Sequence, residues 1–270
     1  HFVVSVLLYL SRGATLILTR DDSAIGEVMA KFHPTIIYGS PESYRALIES
    51  PVGRLDSVRL AISTAASLSE RLQKLFISRF GRSLNPALGI IEVGLLTLNN
   101  RSDRVNSVGR AMPAYEVTLM GANRLPVAPG EVGELYVKGP GLLDAYINPW
   151  QVRSKILSKY GYSTGDMAYL DDEQFLVLAG RNKNRLEVGG LSFFCEEVES
   201  VIDAVPGIKE SRVFMDSQTR LLAAEVVADE SALSGLAERL ANRLDPRKIP
   251  RAFKPVSSLP RTPNGKLLRR

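Results

Sequence analysis

Thr35-Ile36-Ile37-Tyr38-Gly39-Ser40-Pro41-Glu42 decides the fold of the first third of this 270-residue chain. Thr35–Tyr38 reads as a strand. Ser40-Pro41-Glu42 then reads as a helix start: a serine N-cap, proline at the first helical position and an acid suited to the positive end of the helix dipole. Tyr44, Leu47 and Ile48 follow at helical spacing. Downstream, Val58–Ile62 is the next strand. After it comes a helix that places Leu68, Leu72, Leu75 and Phe76 on one face and stops at Gly81. Strand and helix alternating in this rhythm predict a parallel sheet of α/β type.

Upstream, Phe2–Leu10 reads as a buried helix and Ala14–Leu18, after Gly13, as a strand. The apolar run is broken at Arg12 and falls short of the ~20 residues a membrane span needs. No basic residue precedes it as in a signal peptide. A chain opening on His1 in mid-pattern reads as a piece of something longer. From about Val108 the pattern changes: Tyr115–Leu119, Gly133–Val137 and Phe175–Leu178 are short strands between Gly, Pro and Asp turns, predicting a small antiparallel sheet or barrel. Beyond Arg181 a third unit shows a helix over 196–204, strands over 211–215 and 221–227, and a helix over 231–244 that Pro246 stops.

The composition, 45% hydrophobic and 23% charged, is ordinary for a globular chain. A single cysteine, Cys195, excludes an internal disulfide, and two histidines beside it make a poor metal site; a reducing, cytoplasmic setting fits best. Net charge is +5, with the basic residues crowded from Arg239 to Arg270. For most of them the reading is a solvated face. Without interleaved aromatics to stack bases the tail does not read as a nucleic-acid surface, although a basic rim suits ATP, CoA or an acidic carrier protein.

Near the end of the chain, Leu259-Pro260-Arg261-Thr262-Pro263-Asn264-Gly265-Lys266 follows Tyr162-Ser163-Thr164-Gly165-Asp166 and Gly180-Arg181-Asn182-Lys183. At these spacings the chain resembles the C-terminal half of the adenylate-forming enzymes: acyl-CoA and aryl-CoA ligases, luciferases and the adenylation domains of peptide synthetases. The resemblance implies an α/β fold comprising the later part of a large domain, over 1–182, and a small mobile α+β domain, over 183–270. The large domain would hold a parallel α/β sheet (about 1–107) and an antiparallel β sub-domain (about 108–182). It also implies activation of an aryl or aliphatic carboxylic acid with ATP and Mg2+, then transfer to CoA or to the phosphopantetheine of a carrier protein.

Lys266 matches the family's catalytic lysine, a compact charge for the meeting of two anions. Asp166 matches the aspartate that holds both ribose hydroxyls, Arg181 an arginine reaching the same region, and Lys183 the hinge about which the small domain turns. Gly189-Gly190 resembles a glycine loop beside a pantetheine arm, and reads equally well as a glycine turn before a helix. Gly89 and Glu92 lie in a segment resembling Tyr-Gly-x-Thr-Glu, where Glu92 would meet Mg2+ through the phosphates. Ala65 and Ala66 stand beside the adenine, and Tyr38, Gly39, Thr64, Ile90, Ile91 and Gly94 match acyl-pocket positions.

Several residues depart from the family pattern. Leu88 replaces the tyrosine, Ile91 the threonine, and Thr64-Ala65-Ala66-Ser67-Leu68 stands where Gly-Gly-Ala-Pro-Leu is common. Each charged-group hydrogen bond lost costs roughly 1.5–3 kcal/mol. The Ser/Thr/Gly-rich phosphate loop is not found in these residues, so the chain reads as a fragment lacking a main cradle for the β- and γ-phosphates. The competing reading is a degenerate homologue that binds nucleotide, acyl group or carrier protein without catalysis.

Overall fold

The computed structural model describes residues 6–19, 21–101, 103–262 and 267–269, the side chain of Glu230 excepted. The chain divides into two compact units, one of His1–Thr164 with Ala168–Leu178 and the other of Gly165–Met167 with Ala179–Arg270.

In the first unit, α1 (Ile25–Phe32) precedes β1 (Ile36–Gly39), α2 (Pro41–Glu49), β2 (Leu60–Ser63), α3 (Glu70–Phe80), β3 (Asn85–Ile90), β4 (Gly94–Leu98) and β5 (Arg110–Ala111). The five strands form one mixed sheet in sequence order, parallel from β1 to β3 and antiparallel from β3 to β5. The helix start read at Ser40 holds: its hydroxyl accepts from the Ser43 N–H at 3.2 Å. Ser69 caps α3 in the same way, and Gly81 ends it at φ 64°. Tyr44, fully buried, packs edge-on to Phe76 and donates its hydroxyl to the carbonyls of Ile37 and Ile62, tying α2 to β1 and β2.

A second sheet runs in the order β11-β10-β7-β6, built from β6 (Glu116–Met120), β7 (Gly133–Lys138), β10 (Tyr162–Leu170) and β11 (Leu176–Arg181). A hairpin of β8 (Ala145–Tyr146) and β9 (Gln151–Val152) lies between β7 and β10 in the chain. Val93, Leu96, Leu135, Val137, Ala168 and Leu176 form the core here.

The second unit has its own core, with Val198, Ile202, Ile208, Val226, Leu236 and Leu240 fully or almost fully buried. It comprises the hairpin β12 (Arg185–Val188) and β13 (Leu191–Phe194), α4 (Cys195–Asp203), and a sheet of β14 (Ile208–Met215), β15 (Leu222–Ala228) and β16 (Ala252–Pro255). β14 and β15 are antiparallel; β15 and β16 are parallel. Between β15 and β16 stand two short helices, α5 (Glu230–Leu233) and α6 (Leu236–Ala241).

Four expectations need correction. The helix read over Phe2–Leu10 begins outside the described residues; its described part is a π turn at 6–7 running into the short helix Leu8–Ser11, with Leu7, Leu8 and Leu10 about half exposed rather than buried. Ala14–Leu18 forms no strand, because it has no ladder partner among the described residues, and Leu18 is 76% exposed. Leu75 faces outward from α3 rather than inward. The single helix over 231–244 is two pieces broken at Gly235, whose φ of 62° leaves the right-handed helix region; Arg239 donates to the carbonyls of Ala232 and Ser234 exposed by the break. The sequence reading also leaves out α1 and the strands β3, β4, β5, β8, β9, β10, β12, β13 and β16.

Candidate functional site

In open α/β sheets, ligands lie outside the carboxyl ends of the parallel strands. Those ends here are Gly39, Ser63 and Ile90. Register pairs Tyr38 with Ile62 and Gly39 with Ser63, and the Thr64 N–H donates to the Gly39 carbonyl at 3.1 Å. A Cβ built on Gly89 would lie 3.9 Å from Thr64 Oγ1 and 3.8 Å from the Gly94 carbonyl. Thr64, Gly89 and Gly94 are therefore brought together at one edge, with Tyr38 and Gly39 on the neighbouring strand.

Ser63 and Thr64 are buried there, and Ser63 Oγ has no hydrogen-bond partner among the described residues. Burial pushes the Tyr38 phenol up. Ala65 takes φ 75°, the left-handed region that the glycine common at this position adopts freely and an alanine does not. Ala66 is exposed. Leu88 and Ile90 pack against the core of the second sheet, whereas Ile91 is 86% exposed.

Glu92 lies in the turn between β3 and β4, and its surroundings hold it at several points. Its carbonyl accepts from the Leu143 N–H at 2.8 Å. The next carbonyl, of Val93, accepts from the Tyr115 hydroxyl at 2.9 Å. The Glu92 side chain accepts from the Tyr146 hydroxyl at 3.0 Å, and that hydroxyl is 3.0 Å from the hydroxyl of Tyr162. Burial raises both phenols: Glu92 adds to the rise at Tyr146, and Tyr146 and Glu92 add to it at Tyr162. Among the described residues no group of three or more His, Cys, Asp or Glu could hold a metal. A single carboxylate still fits Mg2+, which binds through one or two carboxylates plus substrate phosphates and keeps several waters.

In the second unit, Asp166 of β10 is buried and Arg181 of β11 donates Nε to its Oδ1 at 2.7 Å. A carboxylate has about four lone-pair sites, so an acid fixed by a guanidinium retains the capacity to accept from two hydroxyls. Lys183 is exposed within a 3-10 turn over Asn182–Asn184. Gly189 and Gly190 form the two-residue loop of the β12–β13 hairpin, Val188 pairing with Leu191, and both have positive φ (54° and 75°) as a type I′ turn demands. Cys195 is buried, and its thiol is pushed up to about 12, chiefly by burial.

Lys266 lies outside the described residues. The residues flanking it are anchored by charge. Arg261 bridges Leu267 and pairs with Glu210, and the Leu268 N–H donates to the Pro260 carbonyl at 2.8 Å. Buried Arg212 donates to the Leu268 carbonyl at 2.7 Å. Arg269 forks onto buried Glu199 with bonds of 2.7 and 2.6 Å. Glu199 also accepts from the Val213 N–H at 2.8 Å; burial raises its carboxyl, and Arg269 draws it back.

Sequence reasoning did not reach Tyr115, Tyr146, the role of Tyr162, or the Glu199–Arg269 pair. Tyr162 stands at the head of Tyr162-Ser163-Thr164-Gly165-Asp166, so its position is visible in the sequence but its partner is not. For Arg269, one of many basic residues near the end, nothing in the sequence separated a buried fork from a solvated charge.

This arrangement is an α/β unit whose strand ends gather small and polar side chains, followed in the chain by an α+β unit. Residues 1–147 match the AMP-binding enzyme family and 197–266 match the AMP-binding enzyme C-terminal domain. The chain belongs to the AMP-binding, adenylate-forming family.

It is 30% identical over 265 residues to the p-hydroxybenzoic acid–AMP ligase FadD22 of Mycobacterium tuberculosis, covering 93% of this chain and 37% of the relative. It is 29% identical over 257 residues to a long-chain-fatty-acid–CoA ligase of Bacillus subtilis, covering 90% of this chain and 46% of the relative. Among solved structures, ATP-bound MatB from Rhodopseudomonas palustris superposes with a TM-score of 0.86 at 28% identity, over 98% of this chain and 55% of that one. The chain thus spans less than half the length of these two curated relatives. No helix among the described residues is long and apolar enough to cross a membrane.

Proposed function

We propose that the protein containing this chain activates a carboxylic acid with ATP as an acyl-adenylate and passes the acyl group to a thiol of CoA or of a carrier protein. In the first step the acid's carboxylate oxygen bonds to the α-phosphorus and the bond to pyrophosphate breaks. In the second, a thiolate sulfur bonds to the acyl carbon and AMP leaves. The observation that carries this reading is the buried Asp166 carboxylate fixed at 2.7 Å by Arg181, a pre-set acceptor for a cis-diol.

In this reading Lys266 neutralises the approaching anions, Asp166 and Arg181 grip the ribose, and Gly89, Ala65 and Ala66 flank the adenine. Glu92 holds Mg2+ through the phosphates. The ion supplies charge neutralisation at the phosphoryl oxygens when bound. Tyr38, Gly39, Thr64, Ile90, Ile91 and Gly94 border the acid, and the apolar character of Ile90 and Ile91 favours an aryl or aliphatic substrate. Lys183 is the hinge between the domains at 1–182 and 183–270, and Gly189-Gly190 borders the thiol path. The single buried cysteine supports a reducing, cytoplasmic setting.

ATP–pyrophosphate exchange by the native protein, against a panel of aryl, aliphatic and amino acids, tests the proposal. Acid-dependent exchange that disappears in Lys266→Ala is expected. No exchange with any acid, together with measurable AMP or carrier-protein binding, establishes instead the non-catalytic homologue that the Leu88 and Ile91 departures from the family pattern favour. The 270 residues alone, without a Ser/Thr/Gly-rich phosphate loop, are expected to bind ATP weakly and not turn over. Micromolar affinity by calorimetry overturns that expectation.

A further inference from the structure

Glu92 is the acid of the first unit that the proposed chemistry needs, and the hydrogen-bond donor its carboxylate meets among the described residues is a neutral phenol. An ionised carboxylate only accepts hydrogen bonds, so the single proton of the Tyr146 hydroxyl is committed to Glu92 Oε1 at 3.0 Å. The 3.0 Å contact between the two phenols must then run the other way, with Tyr162 donating to Tyr146. Two donors in series, Tyr162 to Tyr146 to Glu92, thus aim at one carboxylate oxygen.

The backbone is braced to match. Leu143 N–H holds the Glu92 carbonyl, Tyr115 holds the Val93 carbonyl, and a Cβ at Gly141 would collide with both the Val93 carbonyl and the Tyr115 hydroxyl. The stretch from Gly141 to Tyr146 is therefore built to approach the Glu92 turn closely. A guanidinium in this place would orient the acid equally well but cancel its charge. Phenols orient it and leave the full negative charge available to a cation.

We infer that Tyr146, backed by Tyr162, is a positioning residue that sets the affinity of Glu92 for a divalent cation carried on nucleotide phosphates. The inference rests on the role proposed for Glu92 above.

Its test is a Mg2+ titration of ADP binding to the native protein by calorimetry, with melting temperature measured alongside. Tyr146→Phe, which removes only the hydroxyl, is expected to raise half-saturating Mg2+ about tenfold, as for loss of a hydrogen bond to a charged group. Melting temperature and metal-free ADP binding should stay as in the wild type. Tyr162→Phe should raise half-saturating Mg2+ by a smaller factor, because it acts on the acid chiefly through Tyr146.

A Tyr146→Phe midpoint equal to the wild type overturns the inference. Should that variant also lose melting temperature, Tyr162→Phe decides, and an unchanged Mg2+ midpoint there is equally fatal. Glu92→Gln separates the two readings. If it leaves the Mg2+ midpoint unchanged, the metal role of Glu92 itself fails; if it shifts the midpoint while neither phenylalanine variant does, only the positioning role fails.

Discussion

Glu92 and Glu199 are both carboxylates held by neighbouring side chains, yet they are held in opposite ways. Glu92, half-buried in the turn after β3, meets a phenol. Glu199, buried on α4, receives a bidentate guanidinium from Arg269 and a backbone N–H. An acid locked to an arginine is electrically satisfied and serves to fix geometry; an acid steered by neutral donors keeps its charge for something else. Asp166 lies between these cases, paired with Arg181 and proposed to accept neutral hydroxyls rather than a cation. The kind of partner, more than the burial, separates anchoring from binding.

The most severe way to break the comparison is through the segment that the Glu199–Arg269 fork flanks. Lys266→Ala in the native protein is expected to lower acid-dependent ATP–pyrophosphate exchange by about 10²–10³, the range for one removed transition-state electrostatic contact. Exchange within an order of magnitude of wild type would remove the lysine from the chemistry.

Next in size is the fork itself. Arg269→Ala leaves a buried acid without its cation and should destabilise by about 3–5 kcal/mol, read by denaturant unfolding of the native protein. The loss should depend on pH with a definite sign. Burial raises the folded-state Glu199 carboxyl above its unfolded value. Stability linked to it is thus fully present below the unfolded carboxylate pKa and falls as pH climbs through the raised folded one. Without Arg269 the folded value rises further, so the variant should be nearest to wild type in acid. A deficit that grows toward low pH refutes this account. Glu92→Gln, by contrast, should leave melting unchanged, since among the described residues it accepts from a phenol rather than pairing with a cation.

A smaller effect is expected at Ala65. Ala65→Gly relieves a left-handed alanine and should stabilise by about 1 kcal/mol. A lower melting temperature would show that the Ala65 methyl contributes packing worth more than the strain. The mildest expectation concerns Cys195, whose buried thiol is pushed up to about 12: it should resist alkylation near neutral pH until the protein is unfolded. Mass spectrometry after iodoacetamide treatment checks it.

Local chemistry made much of the fold readable. Ser40 and Ser69 cap helices because their hydroxyls reach the N–H three residues on, and Gly81 ends α3 because glycine accepts positive φ. β10 was missed because its Ser-Thr-Gly-Asp looks like a turn, though pairing with neighbouring strands makes it extended. The β12–β13 hairpin is hidden for a related reason: Gly189-Gly190 reads as a loop until the register of Val188 against Leu191 makes it a two-residue turn. The Ser231–Leu244 pattern was apolar at helical spacing, and the periodicity hid the break at Gly235.

By itself the sequence determined the alternation of strand and helix from residue 35 through residue 81 and the membership in an adenylate-forming family, and it supplied the acids and cations proposed to carry the chemistry. These follow from side-chain type and short-range spacing, which the chain carries in any conformation. Only the tertiary structure decided what each acid faces: Tyr146 for Glu92, Arg181 for Asp166, Arg269 for Glu199. Those partners lie 54, 15 and 70 residues away in the chain, so no local pattern could have brought them together before the sheets and cores did.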